Sequence, residues 1–564
     1  MRVMMTAIGF AVAGATAANA QERPTLYSGG PIITMEGETP HQAEAVVTQG
    51  GVIRFVGPRT QAETRFGGEL DRVELNGRTM LPGLIDAHSH FGMALMQAGG
   101  VNLGSPPVGP VSDVAGLIAT IRSHIERQSI PAGSWVVGWN YDQSQLAEAR
   151  HVTRTELDAA FPDHRIVMLH VSMHGAVLNG AALTASGISA ATADIPGGVI
   201  GRDADGEPNG LLMETAMFSA MAHLPQPTME QRLAALEAAQ AAYFAQGYTH
   251  AREGAAQMAD IRFLTSEGAR ARLRIDMSIE ALFTELPTLL ANPVQPFGEW
   301  RDHVKLQGVK FILDGSPQAR TAYFSRPYRH GGPNGERDWH GTPIVDQATF
   351  NALAAQAHGA GLQLFMHANG DAAIDMAVTG LEALGIRAAD NRRPVVIHSQ
   401  FQRLDQLPRY AAIGVGPSYF TNHTFFWGDV HVDNVGEAMA SGISPLVAAR
   451  AAGLHVSNHS DYPVTALDTR FMLWSAMART SRSGRVIGTD QRVDAYAALQ
   501  ALTTGPAWQL FEEDRKGRIS EGLLADFVIL DRNPLETPVD AIRSISVVAT
   551  IKDGVTVHGG LSRD

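Results

Sequence analysis

Cysteine is missing from all 564 residues, which excludes disulfides and thiolate metal ligands. Any bound metal must then be held by imidazole or carboxylate groups. There is no block of basic residues, and the net charge is −13. Neither the electrostatic footprint of a nucleic-acid binder nor a polybasic membrane patch is present. Charged residues make up only 18% of the chain against 45% apolar, a balance that excludes disorder as the default and allows a large buried core.

The opening Met1 to Ala20 places one arginine before an apolar stretch and ends in Ala18-Asn19-Ala20. This is the pattern of a cleaved secretory signal over residues 1–20, and the stretch falls short of the ~20 residues that span a bilayer. Secretion, with the bacterial periplasm as destination, is expected. Divided naively, 564 residues would make about four domains, but barrel folds run past 200 residues as one unit, so two are expected.

Both ends of the chain are β-rich. Ala45-Val-Val-Thr48 and Val52-Ile-Arg-Phe-Val56 flank Gln49-Gly50-Gly51, and Asp526 to Leu530, Ser546 to Ile551 and Val555 to Val557 follow the same style. Glycine-bearing links between such runs signal hairpins. One composite β-sandwich domain from residues 21–80 and 517–564 is expected. The stretch between, 81–516, alternates short apolar strands with alanine-rich helices, the mark of a parallel α/β architecture. Thr228 with Gln231 reads as a helix-starting capping box, and Gly247 closes that helix. Seven later strand candidates, from Tyr248-Thr-His250 to Leu454–Asn458, join an opening strand to make eight. That count selects a (β/α)8 TIM-type barrel. Between about 94 and 224 the rhythm breaks, and an insertion after the first barrel strand is expected to roof the mouth.

The chemistry starts at Met80 to Phe91, an apolar run ending in His88-Ser-His90. Residues i and i+2 of a strand share a face, so the two imidazoles can converge on one ion. Lys310 lies in the fourth strand, His367 ends the fifth, His398 ends the sixth and Asp461 follows the eighth. In a barrel these ends surround one mouth. An ammonium cannot coordinate a metal, but a neutral lysine amine can add carbon dioxide and become a bridging carboxylate. Arg320, His423, Trp139 and Tyr141 are candidate substrate contacts by position and type, since pockets combine aromatics with a few polar groups. His459 shares a face with Asp461 and could contact substrate or hold the aspartate. His330 and His340 read as solvated, and His170, His174 and His250 as satisfied histidines.

The chain resembles metal-dependent hydrolases of the amidohydrolase superfamily, in the branch that includes N-substituted formamide deformylase. The matching residues are Leu81 to His90, Gly197 to Gly201 with Asp205-Gly206, Val309 to Ser316 with Arg320-Thr-Ala322, His367 to Asp371, His398-Ser-Gln400, Ser460 to Pro463 and Gly517 to Leu530. The resemblance implies one or two divalent ions, usually zinc, with ligands at His88, His90, His367 and His398, a carboxylated Lys310, and Asp461 as the catalytic carboxylate that also faces the metal. Ile397 departs from it, standing where a glutamate often precedes the strand-six histidine, and His459 occupies a commonly small position. The implied reaction is hydrolysis of a non-peptide C–N bond in an amide, N-substituted formamide or cyclic amide. The alternatives are ester or short-peptide hydrolysis on the same centre, or a non-catalytic periplasmic ligand or metal binder. A small-molecule substrate, no nucleic-acid or membrane partner, and a homodimer complete the expectation.

Overall fold

The computed structural model describes residues 23–561, apart from 69, 107, 172–174, 194, 196–197 and 333–335. The leader expected over residues 1–20, His174 and Gly197 lie outside the described residues. Eight parallel strands pair in chain order: β1 (Leu84–Ile85), β2 (Tyr248–Ala256), β3 (Asp276–Leu282), β4 (Val304–Ile312), β5 (Gln363–Ala368), β6 (Val395–His398), β7 (Gly416–Tyr419) and β8 (Ser457–Asn458). Their near-continuous apolar runs suit strands covered on both faces.

The sheet curls until its two edge strands approach the same segment. Ile85 N–H donates to Leu502 O and Asn458 N–H to Ala501 O, each at 2.9 Å. Beyond the strand ends, His90 N–H donates to Tyr462 O at 2.8 Å, joining the loops that follow β1 and β8. Helices cover the outside. The Met229–Phe244 helix opens with the capping box of Thr228 and Gln231 and is followed by Gly247 at φ 88°. Its Leu236, Ala239, Tyr243 and Phe244 join the main core with Tyr248 and Ala251 of β2.

Strands from both ends of the chain form a second sheet of eight strands, in which Phe527–Leu530 pairs antiparallel with Thr79–Pro82 immediately before β1. It encloses its own apolar cluster, including Tyr27, Val46, Phe527 and Ile551. The stretch after β1 forms a third sheet of six strands, Val101–Asn102 to Pro208–Glu214, with separate cores around Ile121 and Met168 on one side and Leu169 and Met217 on the other. This unit reaches the end of the parallel sheet where β7 finishes: Arg482 Nη1 donates to Gln145 Oε1 at 2.6 Å while its guanidinium lies over Phe425 and Phe426. Among the described residues no helix is long and apolar enough to cross a membrane.

Candidate metal centre

At the C-terminal ends of β1, β4, β5, β6 and β8 the predicted residues meet. Asp461 Oδ1 lies 3.3 Å from His88 Nε2 and 3.3 Å from His90 Nε2. Lys310 Nζ stands 3.1 Å from that same His88 nitrogen. The ring of His398 lies 5.8 Å from His88 and 4.6 Å from His367, centroid to centroid. One ligand atom each from His88, His398 and Asp461 fit within 4.8 Å of one another. His88, Lys310, His398 and Asp461 are buried, and His90 and His367 are partly exposed toward the opening.

The backbone is strained at two of these positions. His398 has φ 68° and Asp461 φ 54°, the left-handed region that non-glycine residues avoid at a cost on the order of 1–3 kcal/mol. Space is also reserved: a Cβ on Gly254 of β2 would sit 2.3 Å from His88 Cε1, so only glycine leaves room for that ring.

Burial sets the charge state. It drives the imidazoles of His88 and His398 well below their ordinary pKa, helped by Lys310 at His88 and by His367 at His398. His90 is the exception: burial lowers it, but the close carboxylate of Asp461 outweighs this and raises it. Asp461 is pushed up by burial, yet the imidazoles facing it, His398 first and then His90, hold it well below the usual carboxylate range. Burial brings Lys310 down to about 8, against the opposing pull of Asp461 and Glu280. The neutral imidazoles of His88 and His398 facing an ionised carboxylate form the donor set that a divalent metal of the zinc class takes.

Orphaned atoms point the same way. Asp461 Oδ1 and His88 Nδ1 are buried without a hydrogen bond, and an unpaired buried acceptor costs about 1–3 kcal/mol unless something satisfies it. A cation at Asp461 Oδ1 would do so, and the residues therefore fit the implied metal.

Several supporting residues escape a reading of the sequence. Asp314 accepts N–H bonds from Tyr323, Asn369 and Gly370 and places Oδ1 3.2 Å from His367 Nδ1. Asp86 accepts from Ser89 Oγ and from His88 N–H, and burial raises its pKa to about 6. Glu253 accepts N–H bonds from Gly92 and Ala255, and burial raises it to about 7. Arg252 and Glu280 form a wholly buried ion pair beneath the ligands, with Arg252 Nη1 donating to Ala87 O at 2.5 Å. Asp86 and Asp314 lie in the stretches Leu81–His90 and Val309–Ser316 already singled out, though nothing there marks their role. The others carry no spacing signal.

The candidate substrate contacts fall in several places. His423 is buried beside Phe420 and Trp427, its Nδ1 3.0 Å from His431 Nε2. His459 has both ring nitrogens engaged, Nε2 at 3.1 Å from His398 Nδ1 and Nδ1 at 3.0 Å from Ser418 Oγ, which leaves none for substrate. Trp139 and Tyr141 are buried within the six-stranded sheet, where Tyr141 Oη accepts from Val152 N–H at 3.0 Å. Arg320 donates to the carbonyls of His330 and Gly331 in its own loop. His330 is exposed beside Asp433, whereas His340 is half-buried on Phe324 O. His250, expected to be satisfied, has only its Nε2 engaged, 2.8 Å from Ser278 Oγ, while its buried Nδ1 has no hydrogen bond.

The chain is similar to known proteins. N-substituted formamide deformylase of Arthrobacter pascens is 28% identical over 530 residues, spanning 91% of this chain and 94% of that protein. The protein YtcJ of Bacillus subtilis (strain 168) is 26% identical over 553 residues, spanning 94% and 99%. The crystal structure of an uncharacterized metal-dependent hydrolase from Pyrococcus furiosus superposes with a TM-score of 0.72 at 22% identity, covering 91% of this chain and 100% of that one. Residues 71–558 match the amidohydrolase family, and the chain belongs to that family.

Proposed function

We propose that the protein hydrolyses a non-peptide C–N bond, in an amide, N-substituted formamide or cyclic amide, at one or two divalent ions, with zinc favoured by the ligand chemistry. The curled parallel sheet is read here as a (β/α)8 barrel whose mouth is this site. The observation that carries the proposal is Asp461 Oδ1, buried, without a hydrogen bond, and 3.3 Å from the Nε2 atoms of both His88 and His90.

His88, His90, His367 and His398 would hold the metal, with Lys310 contributing oxygens as a carbamate. That carbamate forms when the neutral Nζ adds carbon dioxide and releases one proton, and the lowered pKa of Lys310 favours the neutral amine. When bound, such a metal would lower the pKa of a water to about 7 and polarise the substrate carbonyl. Asp461, kept ionised by the imidazoles around it, would take the proton of the attacking water as the water oxygen adds to the carbonyl carbon. It returns the proton to the nitrogen as the C–N bond breaks, leaving a carboxylic acid and an amine. The formamide deformylase relative supports the C–N reading. The Met1 to Ala20 pattern supports export to the periplasm, which the N-terminal sequence of protein recovered from that compartment would test.

The decisive assay sets zinc-loaded protein against N-acyl amines, N-substituted formamides, lactams, dipeptides and aryl esters. Turnover of the C–N substrates, abolished by a chelator and restored by zinc, is expected. Faster turnover of esters or dipeptides would replace this reading with the alternative hydrolysis, and tight binding without turnover would make the protein a binder.

A further inference from the structure

A line of buried side chains leads away from the metal centre through His398, and the proposed reaction uses neither of the two residues beyond it. His398 Nδ1 lies 3.1 Å from His459 Nε2, and His459 Nδ1 lies 3.0 Å from Ser418 Oγ. The three residues come from β6, from the turn after β8, and from β7, which pairs with both of those strands. Phe420 closes the line on one side, its ring 5.9 Å from His398 and 5.0 Å from His459.

Two ring nitrogens at this distance are compatible only if one carries a hydrogen and the other a lone pair. An imidazole that offers a lone pair at one nitrogen carries its single N–H on the other. Two directions of donation are then possible. In one, His398 Nδ1–H donates to His459 Nε2 and His459 Nδ1–H donates to Ser418 Oγ. In the other, Ser418 donates inward and His398 carries its hydrogen on Nε2, leaving no lone pair for a cation. Because Nδ1 of His398 is already engaged, only Nε2 can be a ligand, and only the first direction permits it.

We propose that His459 is a positioning residue that, with Ser418, fixes the Nδ1–H tautomer and ring orientation of His398 so that Nε2 is presented to a divalent cation. Imidazole ligands commonly have their second nitrogen held by a carboxylate or carbonyl, and removal of such a partner weakens metal binding by roughly 10–100-fold. Here a second histidine fills that place, held in turn by a serine.

The inference rests on the metal-centre reading, and one experiment separates the two. Zinc affinity is measured by competition with a chromophoric chelator for wild-type protein, His459→Ala, His459→Phe, His459→Gln and Ser418→Ala, with zinc per chain determined at saturation. The expected result is a 10–100-fold weaker affinity in His459→Ala and His459→Phe at unchanged saturating stoichiometry. His459→Gln should recover most of the loss, because its Oε1 can accept from His398 Nδ1, and Ser418→Ala should show a smaller loss of the same kind. If wild-type protein binds no zinc, the metal reading itself falls. If wild-type binds and the His459 variants bind equally well, the positioning role alone is overturned. Loss of a whole zinc equivalent at saturation also overturns it, because His459 would then be a ligand. Should the His459 variants fail to fold, Ser418→Ala, which removes one hydroxyl, decides alone: wild-type affinity overturns the proposal.

Discussion

The two ends of the parallel sheet both bury polar groups, but on opposite principles. At the end where the strands start, every buried charge has an opposite charge close by. Lys552 lies 3.4 Å from Asp276, 3.2 Å from Asp526 and 2.7 Å from Asp553, Lys516 pairs with Asp276 and Asp526, and Lys305 lies 2.5 Å from Glu512. At the other end, the imidazoles of His88, His90, His398 and His459 crowd around the single carboxylate of Asp461. Lys552 and Lys310 differ in this way: Asp526 and Asp276 outweigh burial and raise Lys552, whereas burial lowers Lys310, as it also lowers Lys305 beside its single partner Glu512. A charge-matched network fastens the terminal β sheet to the parallel sheet; an unmatched one is arranged for something that binds there.

If that division is right, the largest effect on activity comes from the mouth with little change in stability. Asp461→Asn keeps size and most of the packing but removes the proton acceptor. Turnover should fall by about 10²–10⁴-fold, the usual worth of a general acid–base group, with the melting temperature little changed. A variant that keeps wild-type turnover would remove Asp461 from the mechanism.

The reverse outcome is expected at the other end. Asp276→Ala leaves Lys516 and Lys552 short of a buried partner, and breaking such a pair costs about 3–5 kcal/mol, read as a lower urea midpoint with zinc content unchanged. The pH dependence follows from the direction of each shift. Asp276 is lowered in the folded state, although burial opposes this, because Lys516 and Lys552 favour its charge. Its contribution is therefore present above the unfolded value of about 3.9 and lost as pH falls through the folded pKa. Lys552 is raised, so its contribution is full below about 10.4 and lost as pH climbs through its higher folded pKa. Wild-type stability should hold level from about pH 5 to 9 on account of this network, and Asp276→Ala should flatten the acid limb.

What could be read in the sequence follows the same division. The eight strands were legible because apolar runs announce them, and the ligands because histidines at strand ends are conspicuous. The strand at Tyr248 was legible only as far as His250, yet β2 runs to Ala256. Its Arg252-Glu253-Gly254 looks like the end of a strand by hydropathy, and becomes buried strand only because Glu280 of β3 neutralises Arg252. Asp86 and Asp314 were silent for a related reason, since their partners are backbone N–H groups and imidazoles that only the fold brings near. Trp139 and Tyr141 attracted attention by residue type, but that stretch builds a sheet with its own core and uses them for packing. The partner of His459 lies 41 residues away in Ser418, a separation with no pattern to betray it.

The smallest expected effect tests where the two regions meet a third, the insertion. Arg482 joins Gln145 of the insertion to the short helix His423–Phe426 that follows β7, and its own N–H donates to Phe425 O at 3.2 Å. Its guanidinium lies 5.7 Å and 5.2 Å from the two ring centroids, a cation–π geometry worth about 0.5–1 kcal/mol at a partly exposed site. Arg482→Ala should therefore lower stability by no more than about 1–2 kcal/mol, the sum of that contact and one hydrogen bond. If the insertion roofs the mouth, loosening this tie should raise KM several-fold while kcat stays near wild type, because Arg482 has no contact with the metal ligands or Asp461. A fall in kcat at unchanged KM would instead show that the short helix after β7 positions the reacting groups. Unchanged kinetics with the stability loss alone would confine the contact to packing and place substrate recognition elsewhere around the mouth.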